Sequence, residues 1–176
     1  RRRAVRRAVW ARRVSAAPPV VVGGALVIPQ GLINRVSSDQ PKVDQQEAID
    51  RDRVDRLAVD AVMATERRLG REPTEMPHQN PGYDIESRIP DEPGRLLFIE
   101  VKGKAKGRET VAVSKTQILT ALNKPDDFIL AIVPIDGEQA GEPVYIRRPF
   151  KNEPDFLVTS INYNLAELMK QGEKPA

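Results

Sequence analysis

The run "FILAIVPI", residues 128–135, restricts the fold of this chain more than any other feature. Nearly every position is apolar, so a strand built from this run has two faces that avoid water. Strands of this kind occur where helices cover both sides of a sheet. The run therefore predicts an α/β domain in which this segment is a central strand.

A helical pattern occupies about residues 44–70. Apolar residues recur there at steps of three and four, from Val54 to Leu69, and Gly70 suits the end of the helix. Glu66 falls inside the apolar arc of this helix. Because burying an unpaired carboxylate is costly, its position indicates either an arginine partner near the helix end or a metal ion.

The rest of the chain alternates between strand and helix patterns. Ser114 is expected to cap a helix, with Gln117 three residues later as in a capping box. Strands are expected around residues 83–87, 94–103, 109–114 and 143–150, and helices over residues 115–124 and 165–171. The order helix, strand, strand, strand, helix, strand, strand predicts a mixed sheet.

The N-terminal segment has a different composition. Its opening "RRRAVRRAVWARR" holds seven of the 28 basic residues and no acid, and a segment rich in Pro and Gly follows. We expect a basic helix and a connector over residues 1–43, and an α/β domain over residues 44–176. An arm that binds nucleic acid is the alternative for the arginine segment.

Composition also excludes several classes of protein. Cysteine is absent, which excludes disulfides, thiolate zinc sites and cysteine nucleophiles. No apolar run approaches the roughly 20 residues that span a bilayer, so no membrane partner is expected. With no secretory signal pattern, we expect a cytoplasmic location and a chain that is part of a longer protein.

The stretch "FIEVKGK", residues 98–104, carries opposite charges inside a predicted strand. Side chains alternate along a strand, so Glu100 and Lys102 share one face. Asp84 lies in the preceding predicted strand, which can pair with this one as a hairpin. The two carboxylates and the Val101 carbonyl would then offer the hard oxygen ligands that Mg²⁺ prefers. A simple ion pair between Glu100 and Lys102 is the alternative.

Several basic residues follow Glu100 closely in the sequence. Lys102 itself can orient or deprotonate an attacking water and offset charge on a phosphate. The cluster just beyond it is expected to contact DNA phosphates, the alternative being an ordinary solvated loop. Its predicted DNA-binding members are Lys104, Lys106, Arg108 and Lys115.

Asp84, Glu100 and Lys102 match the D…ExK signature of the PD-(D/E)xK nuclease superfamily. The wider stretch "ERRLGREPTEMPHQNPGYDIES…RLLFIEVKGKA" resembles the NO VEIN C-terminal domain family, over about residues 45–150. The segment "GGALVIPQGL" resembles the connector found in helicase-linked members. One departure is Tyr83, which stands where the superfamily motif has its proline.

The resemblance implies a mixed sheet flanked by helices and a set of site residues. Asp84 and Glu100 would bind Mg²⁺ or Mn²⁺, and Lys102 would be the catalytic lysine. Glu66 would touch the metal through water, and Gln117 would be the polar residue that begins the second core helix. The implied function is DNA binding and phosphodiester cleavage beside a helicase domain in a bacterial protein of repair or defence. A catalytically inactive nucleic-acid-binding module and a protein-interaction module are the alternatives.

Overall fold

The structure is a computed structural model that describes residues 45–176. The basic helix and connector expected over residues 1–43 lie outside the described residues. The helices are α1 (Gln45–Arg68), α2 (Lys115–Asn123) and α3 (Leu165–Met169). The strands are β1 (Glu72–Glu75), β2 (Ile85–Arg88), β3 (Leu96–Ala105), β4 (Thr110–Ser114), β5 (Phe128–Asp136), β6 (Gln139–Ala140), β7 (Val144–Arg147) and β8 (Ser160–Asn164).

The main sheet is mixed, with the order β1-β2-β3-β5-β6, and β7 also pairs with β5. Strands β3 and β5 run parallel, because α2 crosses between them, while the other pairs in this sheet are antiparallel. Strand β4 leaves the main sheet and pairs with β8 in a second, two-stranded sheet. The predicted hairpin of β2 with β3 and the central position of β5 are confirmed.

Strand β5 is apolar at nearly every position because both of its faces are covered. Its residues Ile129, Ala131 and Val133 join the core beneath α1. The alternate residues, including Leu130 and Ile132, join a second core with α2, α3 and the β4–β8 sheet. Each fully buried valine, leucine or isoleucine side chain contributes roughly 1.5–3 kcal/mol relative to exposure. The two cores fix which side chains of the neighbouring β3 face each helix.

Strand β3 is much longer than its antiparallel neighbour β2. Their pairing ends at Ile85 opposite Ile99, so residues 100–105 of β3 have β5 on one side and no described strand on the other. We call this side of residues 100–105 the free edge of β3. The Phe98 amide donates to Asp127 on the β5 side. Because backbone groups alternate along a strand, those of Val101 and Gly103 point to the free edge.

Helix α1 approaches the free edge closely because residue 103 is glycine. A Cβ atom at Gly103 would lie 2.8 Å from the Val54 carbonyl oxygen and 2.8 Å from its Cγ1. The close approach puts the backbone of α1 at Val54 directly over β3 at Gly103. The middle of α1, around Val54, therefore lies beside the free edge, and the last turns do not.

The arrangement confirms the predicted fold class, a mixed α/β sheet flanked by helices. Two small strands and β8 were not expected from the sequence, and they extend the main sheet at its edges or form the second sheet. Within residues 45–176, no helix combines the length and the apolar character needed to cross a membrane.

Candidate active site

Four polar side chains that were predicted for the site meet where β2 begins, beside the free edge of β3. They line a cleft of about 550 Å³, and α1 supplies part of its wall. The four are Asp84, Glu100, Lys102 and Gln117. Residues from a strand entry, a neighbouring strand and the first turn of α2 are therefore brought to one place.

Asp84 precedes β2 and takes the position of a strand partner for β3. Its amide donates to the Ile99 carbonyl at 2.9 Å, and its own carbonyl accepts from Met76 at 2.8 Å. Its carboxylate oxygen Oδ2 accepts the Val101 amide at 2.8 Å. Burial raises the pKa of Asp84, while the Val101 hydrogen bond and the Lys102 charge oppose that rise. The carboxylate is thus fixed at the free edge.

Glu100 is 2% exposed, and its two carboxylate oxygens have different surroundings. Oε1 accepts from Lys102 Nζ at 2.8 Å and from Gln117 Nε2 at 2.5 Å. Oε2 is buried and has no hydrogen-bond partner among the described residues. Burial raises the pKa of Glu100 to about 7; the Lys102 charge opposes this, and the Asp84 charge adds to it. A buried oxygen without a partner is unfavourable, and a cation bound there would remove that cost.

Gln117 joins the site to the start of α2. Its side-chain Oε1 accepts from the Ser114 backbone amide at 2.8 Å, and its backbone amide donates to Ser114 Oγ at 3.2 Å. This pair of bonds confirms the predicted capping box. The same Oε1 accepts from Lys102 Nζ at 3.3 Å. Gln117 therefore caps the helix and holds Glu100 and Lys102.

The donor set suits a hard divalent cation. The Val101 carbonyl faces the free edge beside Asp84, because the N–H and C=O groups of one strand residue point the same way. Oxygen donors of this kind fit Mg²⁺ or Mn²⁺. Among residues 45–176, no group of three or more His, Cys, Asp or Glu residues could hold a metal ion. A cation here would rely on Asp84, Glu100, the Val101 carbonyl and water.

The structure does not place Glu66 beside the other predicted site residues. Its carboxylate is fully buried near the end of α1. Oε1 accepts from the Tyr145 hydroxyl at 2.8 Å and from Arg71 Nη1 at 3.0 Å. Burial raises the pKa of Tyr145, and the Glu66 charge raises it further. These contacts correspond to the arginine alternative, with a tyrosine as an additional partner.

Asp55 is a cleft residue that was not predicted from the sequence. It lies on α1 and lines the cleft beside Lys102. Burial raises the pKa of Asp55, and the Lys102 and Lys104 charges lower it. A signal was available, because Asp55 lies on the same helical stripe as Val62 and Glu66, at steps of seven and four. Helical periodicity shows which residues share this face of α1, but it does not show which turn of the helix lies beside the cleft.

The predicted DNA-binding residues separate into different surroundings. Lys104 and Arg108 line a second cavity of about 520 Å³, which shares Asp55 and Lys102 with the cleft. Lys106 is exposed on the turn that follows β3. Lys115 donates to the carbonyl oxygens of residues 155 and 156, at 3.1 and 2.9 Å.

A mixed sheet between helices, with two acids and a lysine where two of its strands part, defines the class of α/β domain that the resemblance implied. The model of the family described as "Protein NO VEIN, C-terminal" matches residues 54–146, more than half of the chain. The chain therefore belongs to the NO VEIN C-terminal domain family, and the predicted resemblance is confirmed.

Two further comparisons complete these findings. A similar solved structure is that of Hjc, a Holliday junction resolvase from the archaeal hyperthermophile Archaeoglobus fulgidus. It is 12% identical in sequence and has a TM-score of 0.47, with 68% of this chain and 88% of that chain covered. No curated protein matches the chain.

Proposed function

We propose that residues 44–176 form a DNA-binding domain that hydrolyses phosphodiester bonds with Mg²⁺ or Mn²⁺. Asp84, Glu100 and the Val101 carbonyl would hold the ion. The observation that supports this most strongly is the buried Glu100 Oε2, which has no partner among the described residues and belongs to a residue that lines the same cleft as Asp84. A purely structural ion pair with Lys102 leaves that oxygen unexplained.

The bound ion and the residues around it would have different roles in cleavage. A bound divalent ion would supply Lewis-acid stabilisation of charge on the phosphate and an activated water. Lys102 keeps its ammonium group between Glu100 Oε1 and Gln117 Oε1. From there it donates to a phosphate oxygen and offsets the negative charge that grows in the transition state. Gln117 acts through Lys102 and Glu100 and is a positioning residue.

Basic residues next to the cleft would hold the DNA backbone. Lys104 and Arg108 line the adjoining cavity, and Lys106 lies exposed nearby. Lys115 would be a peripheral contact, because its amine already binds backbone carbonyls. Such contacts with phosphates bind all sequences about equally and weaken with salt. We further propose, from the resemblance of the connector, that residues 1–43 link this domain to a helicase domain of a cytoplasmic bacterial repair or defence protein.

One observation favours an inactive module that only binds nucleic acid. Oε1 of Glu100 is already paired with Lys102 at 2.8 Å, as in a structural ion pair, and the described residues contain no cluster of three potential metal-binding side chains. This alternative keeps DNA binding and has no divalent-ion effect. A protein-interaction module would lack both properties.

A cleavage assay separates these functions. Linear and circular DNA, single- and double-stranded, would be incubated with the full chain in Mg²⁺, Mn²⁺ or EDTA. We expect cleavage that needs a divalent ion and falls about 100-fold or more in Asp84→Asn and in Glu100→Gln. The matched control is Asp91→Asn, which neutralises an exposed acid. Binding without cleavage in either metal would favour the inactive module, and no binding would favour the interaction module.

A further inference from the structure

The second cavity runs along the free edge of β3, beyond Lys102. Its floor is the segment Gly103–Ala105. One wall is α1, through residues 50–55, and the other is the outward face of the β4–β8 sheet. Ala112 and Asn162 are register partners in that sheet, and their neighbours Val111 and Val113 point into the core. The cavity is therefore built by three elements that the fold fixes independently.

The cavity has an excess of positive charge. Its basic residues are Arg51, Lys102, Lys104 and Arg108, and its acids are Asp50 and Asp55. Lys104 is partly buried, and neither its amine nor the Arg108 guanidinium has a salt bridge or hydrogen bond within residues 45–176. Burial lowers the pKa of Lys104, the charges of Lys102 and Arg108 lower it further, and Asp55 opposes them. A bound anion would stabilise these crowded cations.

Neutral donors complete the set around the same space. The Gly103 amide points to the free edge, and the side chains of Thr110 and Asn162 belong to the opposite wall. Cationic side chains together with backbone amides, hydroxyls and amide groups are the usual donors to phosphate oxygens. The chemistry of the cavity therefore matches a phosphate group better than a carboxylate-rich or apolar ligand.

The position of the cavity relates it to the proposed catalytic centre. Lys102 lines both spaces, and Lys104 follows it by two strand residues, roughly 6.6 Å along β3. This separation is comparable to that between successive phosphates of one nucleic-acid strand. Two phosphates of one strand would lie side by side along the free edge.

We propose that Lys104 and Arg108, together with the Gly103 amide, Thr110 and Asn162, bind the phosphate that neighbours the scissile phosphate on the same DNA strand. This inference rests on the proposed function, and it names how the site holds its substrate. The strand follows the free edge of β3 in the place where a further β-strand would pair. Recognition is then of the backbone, and the smallest unit that fills both positions has two adjacent phosphates.

The proposal divides lysines that are close in sequence. Lys104 lines this cavity and also a neighbouring depression formed with residues 134–136, whereas Lys106 is exposed and lines only that depression. Lys115 is bound to the carbonyls of Asp155 and Phe156. A generally basic surface predicts similar effects for all three lysines. A built phosphate subsite predicts a large effect for Lys104 alone among them.

The first test uses inorganic phosphate and the full chain in EDTA, with NaCl at matched ionic strength. At about ten times its dissociation constant, phosphate adds RT ln 11 to stability, which raises the melting temperature by roughly 3–6 °C. We expect Lys104→Gln and Arg108→Gln to lose this rise and Lys106→Gln to keep it. No rise in the parent protein, or an equal loss in Lys106→Gln, would overturn the subsite.

The second test asks whether the same cavity holds DNA. A fluorescent single-stranded oligonucleotide is bound in EDTA, and inorganic phosphate is added against NaCl of equal ionic strength. Phosphate should displace the oligonucleotide from the parent protein beyond the effect of NaCl, and the two salts should act alike on Lys104→Gln. Phosphate binding without competition would identify a site for free phosphate and would contradict the proposal.

Failure of the proposed function gives a different pattern. Asp84→Asn should retain the full response to phosphate, because the second cavity holds its own donors. A phosphate response and competition without any cleavage would support the phosphate subsite and contradict the proposed nuclease activity. Metal-dependent cleavage without a phosphate response would support the nuclease activity and contradict the phosphate subsite.

Discussion

The Val101 amide donates a 2.8 Å hydrogen bond to the Asp84 carboxylate at the point where the pairing of β3 with β2 ends and β3 continues. In an ordinary sheet that amide would pair with a backbone carbonyl of the next strand. Here a side chain takes the bond, so an acid is locked against the strand that carries Glu100 and Lys102. The site is thus a consequence of two strands of unequal length.

The first prediction is that divalent ions stabilise the folded protein. If the dissociation constant for Mg²⁺ is about 1 mM, 10 mM Mg²⁺ should raise the melting temperature by roughly 3–6 °C over matched NaCl. Asp84→Asn should abolish this rise while its metal-free form remains as stable as the parent, because asparagine can still accept the Val101 hydrogen bond. Asp91→Asn is the control that should respond like the parent. An unchanged Mg²⁺ response in Asp84→Asn would show that the ion binds elsewhere on the protein.

The second prediction separates the two roles of Gln117. Ser114→Ala removes the capping hydroxyl, whereas Gln117→Ala keeps that hydroxyl and removes the bond to the Ser114 amide together with the contacts with Glu100 and Lys102. Each variant should lose about 1 kcal/mol or more of unfolding free energy in urea, as caps of this kind do. DNA cleavage should fall only in Gln117→Ala. Equal cleavage by the two variants would reduce Gln117 to a capping residue.

The third prediction concerns the contact that places α1. Gly103→Ala puts a methyl group 2.8 Å from the Val54 carbonyl oxygen and Cγ1, so the helix must shift. We expect a loss of about 1–3 kcal/mol in unfolding free energy. Adding Val54→Ala should recover only part of it, because the carbonyl contact remains. Full recovery in the double variant, measured by urea unfolding, would show that the side chain alone sets the helix position.

The fourth prediction assigns Glu66 to stability. Arg71→Met leaves the buried Glu66 carboxylate without its cation and should cost about 3 kcal/mol or more. Arg67→Met, at an exposed position on the helix that carries Glu66, should cost far less. The rise in melting temperature with Mg²⁺ should be the same in Glu66→Gln as in the parent protein. A lost Mg²⁺ response in Glu66→Gln would return this residue to the metal site.

The sequence was informative wherever spacing alone fixes a position. Alternation along a strand placed Glu100 and Lys102 on one face, and the capping pattern placed Gln117 at the start of α2. The hairpin then brought Asp84 to Glu100. These relations are short-range or need only one strand pairing, so they could be read without knowing the rest of the packing.

Positions that depend on packing could not be read in the same way. Asp55 and Glu66 share a helical stripe, and the packing of α1 on the sheet, with Val54 against Gly103, places the earlier acid beside the cleft. Strand β8 was missed because its pattern is largely polar, "SINYN", and its partner β4 lies 46 or more residues away along the chain. The second cavity follows from that pairing and could not be predicted.

The central claim is that Asp84 and Glu100 share a divalent ion, and diffraction from crystals soaked in Mn²⁺ tests it most directly. We expect one anomalous peak in the cleft, within coordination distance of a carboxylate oxygen of each residue and of the Val101 carbonyl, and no such peak in Asp84→Asn crystals. Ordered cleft residues with no peak, and with Glu100 still paired to Lys102 alone, would contradict it.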